Sequence, residues 1–344
     1  MTQPKLDDYQ TFYDQFDVAW LDGHFSGSFA DGINACIECV DRHTGEGRIA
    51  LYWEGMDGTS GTVTFEELHA QSARFANLLT SLGMGPGDRI AGLLPRTPDL
   101  LTVIFGTLRA GAVYQPLFIA FGPKAIQQRV QGSGAKVIVT DSANRPKLDN
   151  VEACPLALVS GATETDDVDL HAALSQQTDT FEPVMRHGDD LCLMMFTSGT
   201  TGAPKGVNVP LTSLRENWMY MTYGLGLRPE ETFWNIADPG WAYGLYHAVI
   251  GPLLLGHATT FQEAPFSVDG RLETMLKHEI TNLAGAPTAY RMLIASGDKV
   301  PNQLRGRLRV ASSAGERLNP EVVRWFADEL DCPLKEQYLS LIHI

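Results

Sequence analysis

Ten consecutive residues carry the densest chemistry in the chain: Thr197-Ser198-Gly199-Thr200-Thr201-Gly202-Ala203-Pro204-Lys205-Gly206. Three glycines let backbone N–H groups turn inward and approach an anion. Four hydroxyls can donate to phosphate oxygens, and Lys205 adds a positive charge. The stretch follows LCLMMF (191–196), an apolar run that reads as a buried strand. Hydroxyls, glycines and a lysine at a strand's carboxyl end point to phosphate binding. The Walker spacing GxxxxGK(S/T) is not met, because the order here is Lys205-Gly206 with no Gly-Lys-Ser/Thr. A P-loop kinase or NTPase is therefore disfavoured.

A loop of this kind needs a sheet to present it, and the surrounding pattern supplies one. RIALYW (48–53), RIAGLL (89–94), AVYQPLF (112–118), KVIVT (136–140), TFWNIA (232–237), ATTFQ (258–262) and LRVASS (308–313) read as strands. TFEELHAQSARFANLLTSLG has helical spacing, with Leu68, Phe75, Leu78 and Leu79 near one face and Gly83 and Pro86 as stop signals. LLTVIFGTLRAG reads as a helix ended by Gly111, residues 125–130 as another, and further helices centre near 217, 249, 274, 291 and 325. Strands alternating with helices predict an α/β fold of parallel sheets covered by helices. Ligands bind beyond the carboxyl ends of such strands. The acidic stretch 161–169, with Glu164, Asp166, Asp167 and Asp169, reads as a solvated surface loop.

Composition narrows the class. The chain has 344 residues, enough for one large or two medium domains. Lys and Arg number 26 against 41 Asp and Glu, a net charge of −15 that argues against broad nucleic-acid or anionic-membrane binding. There is no secretory signal pattern at the start and no apolar run near the ~20 residues of a membrane span. Five scattered cysteines, including the Cys36/Cys39 pair, lack a second pair at zinc spacing and read as ordinary helix residues. A cytoplasmic protein is expected.

FTSGTTGAPKGV resembles the phosphate loop of the acyl-adenylate-forming enzymes, which include acyl-CoA synthetases and luciferases. TVTFEEL (62–68) and GTLRAGAVYQPL (106–117) resemble that family's first two core motifs, in order. ADPGWAYGLYHAVIGPLLLG (237–256) resembles the segment that lines the acyl pocket. CIECVDRH, GAPTAYRML (285–293) and SAGERLNPEVVRW (313–325) resemble the acetyl- and medium-chain acyl-CoA synthetase branch. The resemblance implies that a carboxylate and ATP give an acyl-adenylate and pyrophosphate, and that the acyl group then passes to coenzyme A. It implies that Thr197 to Gly202 cradle the β- and γ-phosphates, with Thr197 and Lys205 as catalytic residues. Gly315, Glu316 and Arg317 match the adenine-contacting turn, although relatives usually carry proline or a small residue where Arg317 stands. Glu336, Gln337 and Tyr338 match a strand that approaches adenine and the acyl pocket. Trp241, Ala242 and Tyr243 match pocket-lining positions. Asn319 reads as a helix N-cap with Pro320 at the first helical position. His247 and His257 flank a helix near the pocket and read as structural.

By the same resemblance the domain plan is a lead-in over 1–30 and a nucleotide-binding domain over 31–338. That domain is expected to hold two stacked parallel-sheet subdomains, without the small barrel and C-terminal domain of its relatives. The Glu that helps bind Mg²⁺ in relatives is expected beyond Tyr338, so no metal ligand is assigned. Leu339 to Ile344 match one reading frame of a transposase sequencing adapter and are expected to be non-native. The partner is a small carboxylic acid, and the chain alone is expected to turn over little or nothing. Two other readings stay open: an adenylation domain serving a carrier protein, and a non-catalytic nucleotide-binding fragment.

Overall fold

The structure is a computed structural model that describes residues 10, 13–14, 16–161, 167–197 and 204–337. Ser198, Gly199, Thr200, Thr201, Gly202, Tyr338 and 339–344 lie outside the described residues, as do Glu164 and Asp166.

The first strands are β1 (Ile49–Glu54), β2 (Ser60–Thr64), β3 (Arg89–Leu93) and β4 (Val113–Pro116). Next come β5 (Val137–Asp141), β6 (Leu156–Ser160), β7 (Val168–Asp169), β8 (Leu191–Thr197) and β9 (Lys205–Pro210). The last five are β10 (Phe233–Asn235), β11 (Thr259–Gln262), β12 (Asn282–Gly285), β13 (Val310–Ser313) and β14 (Leu334–Glu336). One sheet has the order β7-β6-β5-β3-β4-β8-β9 and a second β10-β12-β13-β14. A third, β11-β1-β2, lies beside β10. Among the described residues the strands within these sheets pair in parallel, except the antiparallel β1–β2 and β8–β9 pairs. The α/β fold of stacked, mainly parallel sheets is therefore present, with two antiparallel pairs that the sequence pattern did not announce.

What separates the sheets follows from the helices. In Pro98–Arg109 every residue from Leu100 to Arg109 is buried. A helix apolar on all sides belongs in the interior, and this one packs against Phe65–Ser81 in the largest core cluster. Thr64 and Glu67 form a reciprocal capping box that starts Phe65–Ser81, each side chain bonding the other's backbone N–H. The helices expected near 217, 274, 291 and 325 occur as Ser213–Met219, Val268–Lys277, Pro287–Ile294 and Pro320–Leu330. Asn319 caps the last of these by accepting from Glu321 N at 3.0 Å.

The N-terminal segment is tied down chemically as well as by packing. Leu21, Phe25 and Phe29 enter the main core, and Asp22 makes a two-pronged ion pair with Arg215 at 2.6 and 2.8 Å. Asn34 donates to the backbone oxygens of Leu108, Arg109 and Val184. Arg109 is fully buried, donating from Nε to Ser72 Oγ at 3.0 Å and pairing through Nη2 with Asp41. Removing one partner strands a buried charge, which costs about 3–5 kcal/mol. Asp41→Ala is therefore expected to lower the urea midpoint by the equivalent of about 3 kcal/mol, whereas Asp57→Ala, on an exposed turn, shifts it little.

Cys36 and Cys39 lie buried in the helix Ala35–Cys39, as read from the sequence. Burial pushes the Cys36 thiol up to about 12, which leaves it a small hydrophobe. Asp167 pairs with Arg145, and Asp169 caps the helix Leu170–Ser175. Asp169 is exposed, in line with a surface position, while Asp167 is half-buried beside Arg145.

Candidate active site

The two ends of the hydroxyl- and glycine-rich stretch belong to neighbouring antiparallel strands. Thr197, the last residue of β8, stands opposite Lys205, the first of β9. Directly opposed residues of an antiparallel pair share a face. The two expected catalytic residues are thus set side by side at one end of the seven-stranded sheet, with Lys205 exposed and Thr197 half-buried. Because β8 runs parallel to β4, this end is also the edge at which β4 gives way to Phe118.

At that edge the two main sheets meet. The chain leaves β10 through Asp238-Pro239-Gly240, where Asp238 Oδ1 accepts from Gly240 N at 2.8 Å and Trp241 N donates to Asp238 O at 3.1 Å. A β-carbon on Gly240 would lie 2.6 Å from Phe118 Cα, so only glycine lets these two loops touch. Trp241 then packs against Phe118 and Phe121, with ring centroids 5.5 and 5.3 Å apart. Arg96, just after β3, lies 4.0 Å from Asp238. Burial pushes the Asp238 carboxyl up, and Arg96 partly offsets this. Loops that follow strands of both sheets thus converge here, at the strand ends where such sheets bind ligands.

Of the expected pocket residues, Trp241 is exposed, Ala242 half-buried and Tyr243 buried. They open the helical run 242–254, whose middle, Leu245–Ile250, is wound with i→i+5 bonds. A second such turn covers Tyr220–Gly224. Widened turns of this kind occur frequently at functional sites. Here they bring Tyr220 face to face with His247, centroids 4.0 Å apart, and Tyr243 edge-on to the same ring at 5.5 Å.

The expected adenine turn follows β13. Gly315 has φ +93°, and a β-carbon there would meet nothing within 4 Å. Glycine is needed for the backbone, and the space above it is open to a flat base. Glu316 accepts from Thr288 Oγ1 at 3.2 Å and pairs with Arg291 at 3.3 Å; Arg317 is exposed. Glu336 accepts from Leu318 N at 2.8 Å, so the end of β14 braces this turn. Gln337 donates from Nε2 to Gly224 O at 3.0 Å, which joins β14 to the Tyr220 turn. The structure therefore brings Gly315, Glu316, Glu336 and Gln337 into one assembly.

Phe118, Phe121, Tyr220 and Arg96 were not singled out by sequence. The only hint was PLFIAF, two phenylalanines three apart after a strand. His247 is no acid–base candidate: burial pushes its imidazole down to about 3, and that of His43 down to about 4. Both titrate near 6.5 when exposed. The unfolded chain therefore binds protons that the folded chain refuses, and stability falls as pH drops from about 6.5 towards 4. Thermal melts from pH 7.5 to 4.5 are expected to show this slope, reduced in His43→Gln.

Residues 39–338 match the AMP-binding enzyme family, and the chain belongs to it. It is 34% identical to an acetyl-coenzyme A synthetase of Pseudoalteromonas translucida, over 90% of this chain and 53% of that protein. It is 32% identical to an acetyl-coenzyme A synthetase of Bacillus subtilis, over 93% of this chain and 58% of the relative. The chain thus spans about half the length of the curated relatives it matches. The crystal structure of a Brucella canis acyl-CoA synthetase superposes with a TM-score of 0.94 at 50% identity, over 97% of this chain and 62% of that one. Among the described residues no helix is long and apolar enough to cross a membrane.

Proposed function

We propose that the whole protein is an AMP-forming acyl-CoA synthetase of the cytoplasm that takes acetate or a short- to medium-chain acid. The carboxylate oxygen attacks the α-phosphorus of ATP, forming an acyl-adenylate and releasing pyrophosphate. The thiol of coenzyme A then attacks the acyl carbon, forming the thioester and releasing AMP and a proton. The observation that carries this reading is the convergence of the β4, β8 and β10 ends, with Thr197 and Lys205 paired beside them.

The first step joins two anions, so charge neutralisation and alignment do most of the work. Thr197 and Lys205, with Ser198, Gly199, Thr200, Thr201 and Gly202, hold the β- and γ-phosphates in this reading. Open space over Gly315 fits a base, with Glu316, Arg317, Glu336 and Gln337 near it; Tyr338, outside the described residues, is expected to take part. Trp241, Ala242 and Tyr243 line the acyl side. Mg²⁺ is expected to enter with ATP; among the described residues no three His, Cys, Asp or Glu side chains gather to hold it. We expect little or no turnover from the 344-residue chain alone.

Supplying the whole protein with acetate, ATP and either coenzyme A or a phosphopantetheinyl carrier protein tests the second step. Thioester on coenzyme A supports the synthetase reading; thioester on the carrier alone would replace it with a carrier-serving adenylation domain.

A further inference from the structure

A cavity of about 320 Å³ lies between the helices Phe65–Ser81, Pro98–Arg109 and Leu170–Ser175 and the β1–β2 pair. None of the candidate active-site residues lines it. Cavities of about 300–1,000 Å³ are of the size that holds small molecules. Much of its wall is apolar: Leu51, Leu68, Leu101 and Leu174 line it and are all buried. Two packed helices add polar pairs. Glu67 and Gln71 lie four residues apart on one, and Asp99 and Thr102 three apart on the other. These spacings place each pair on one helix face.

The polar atoms are of one kind. The lining carries two carboxylates, Glu67 and Asp99, and among its described residues no Lys or Arg. Glu67 uses Oε2 to accept the capping bond from Thr64 N at 2.8 Å. Asp99 uses Oδ2 for both Ser160 Oγ and His171 Nε2, the second at 2.9 Å. Glu67 Oε1 and Asp99 Oδ1 accept nothing from the described protein. Thr102 is 5% exposed, and its hydroxyl also has no partner among the described residues. A buried hydroxyl is almost always hydrogen-bonded. One left free on the wall of a cavity marks where a polar atom of a guest belongs.

Three free acceptors beside an apolar wall select the guest. An ammonium group has three donors and no acceptor. An anion would meet two like charges here, with His171 as the one basic side chain in the lining. ATP, a carboxylic acid and coenzyme A are all anions, so the cavity is no station for a substrate of the proposed reaction. We propose that it binds a small organic amine, with the ammonium held by Asp99, Glu67 and Thr102 and the apolar body against the four leucines. The proposal does not depend on the adenylation reading.

The test is a ligand-observed NMR titration of the whole protein with phenethylamine and isopentylamine. The matching alcohols, 2-phenylethanol and 3-methylbutan-1-ol, keep the shape and remove the charge. At least one amine is expected to bind saturably, and at least about tenfold more tightly than its alcohol. Asp99→Asn and Glu67→Gln remove one charge each, and glutamine keeps the capping box. Each is expected to weaken the amine about tenfold and leave the alcohol unchanged. Should Asp99→Asn fold poorly, because Ser160 and His171 lose their acceptor, Glu67→Gln carries the test. Amines binding no more tightly than alcohols, or an amine affinity unchanged in the folded variants, would overturn the proposal. So would the absence of saturable binding by either amine below about 10 mM.

Discussion

Gly244→Ala is expected to destabilise the chain by about 3 kcal/mol, near the upper end of the usual cost of overpacking. A β-carbon at Gly244 would lie closer than 3.0 Å to the carbonyl group of Asp238 and to Pro239 N. These are backbone atoms, so no side chain can rotate away. Nor can the turn retreat, because its far side is held by Gly240 against Phe118 Cα. The helix starts here with Leu245 N donating to Trp241 O at 2.9 Å, so relief of the clash must displace Trp241 and Tyr243. A fall in melting temperature of roughly 5 °C or more is expected, with a lower urea midpoint and an unchanged slope. A variant melting within a degree of the parent would show that the turn is not wedged between the two sheets.

Lys205→Ala is expected to behave in the opposite way, leaving folding intact and removing chemistry. Its side chain is exposed at the first position of β9, opposite Thr197. Loss of a charged hydrogen bond to phosphate is worth about 1.5–3 kcal/mol. That corresponds to roughly 10- to 100-fold in the rate of adenylation by the whole protein. The melting temperature should stay within about a degree, since exposed substitutions rarely exceed ~0.5 kcal/mol. Full adenylation activity in Lys205→Ala would remove Lys205 from the phosphate site.

Strand and helix alternation was legible because each element carries its own signal. LCLMMF, KVIVT and LRVASS are short apolar runs, and they became β8, β5 and β13. Elements made by pairing were not legible. KGVNVP holds glycine, asparagine and a terminal proline, and is a strand only because β8 supplies its ladder. NLAG has weak strand propensity, yet β12 is buried throughout between β10 and β13. SGTVT is half-exposed and held by β1.

The candidate site divides in the same way. Thr197, Lys205, Gly315 and Trp241 could be named from local motifs, since each motif is contiguous. Phe118 and Phe121 meet Trp241 across more than a hundred residues of chain, and Tyr220 meets His247 across two widened turns. No local pattern encodes those meetings. His247 read as structural from sequence, and its neutral, buried ring agrees with a non-catalytic place.

In the proposed function, the strand ends of β4, β8 and β10 are where a carboxylate is activated with ATP. The most direct measurement is the return of labelled pyrophosphate into ATP by the whole protein, with and without added carboxylic acid. Exchange is expected to require the acid and to drop roughly 10- to 100-fold in Lys205→Ala. Exchange that proceeds equally without acid, or ATP bound tightly with no exchange for any acid, would contradict it.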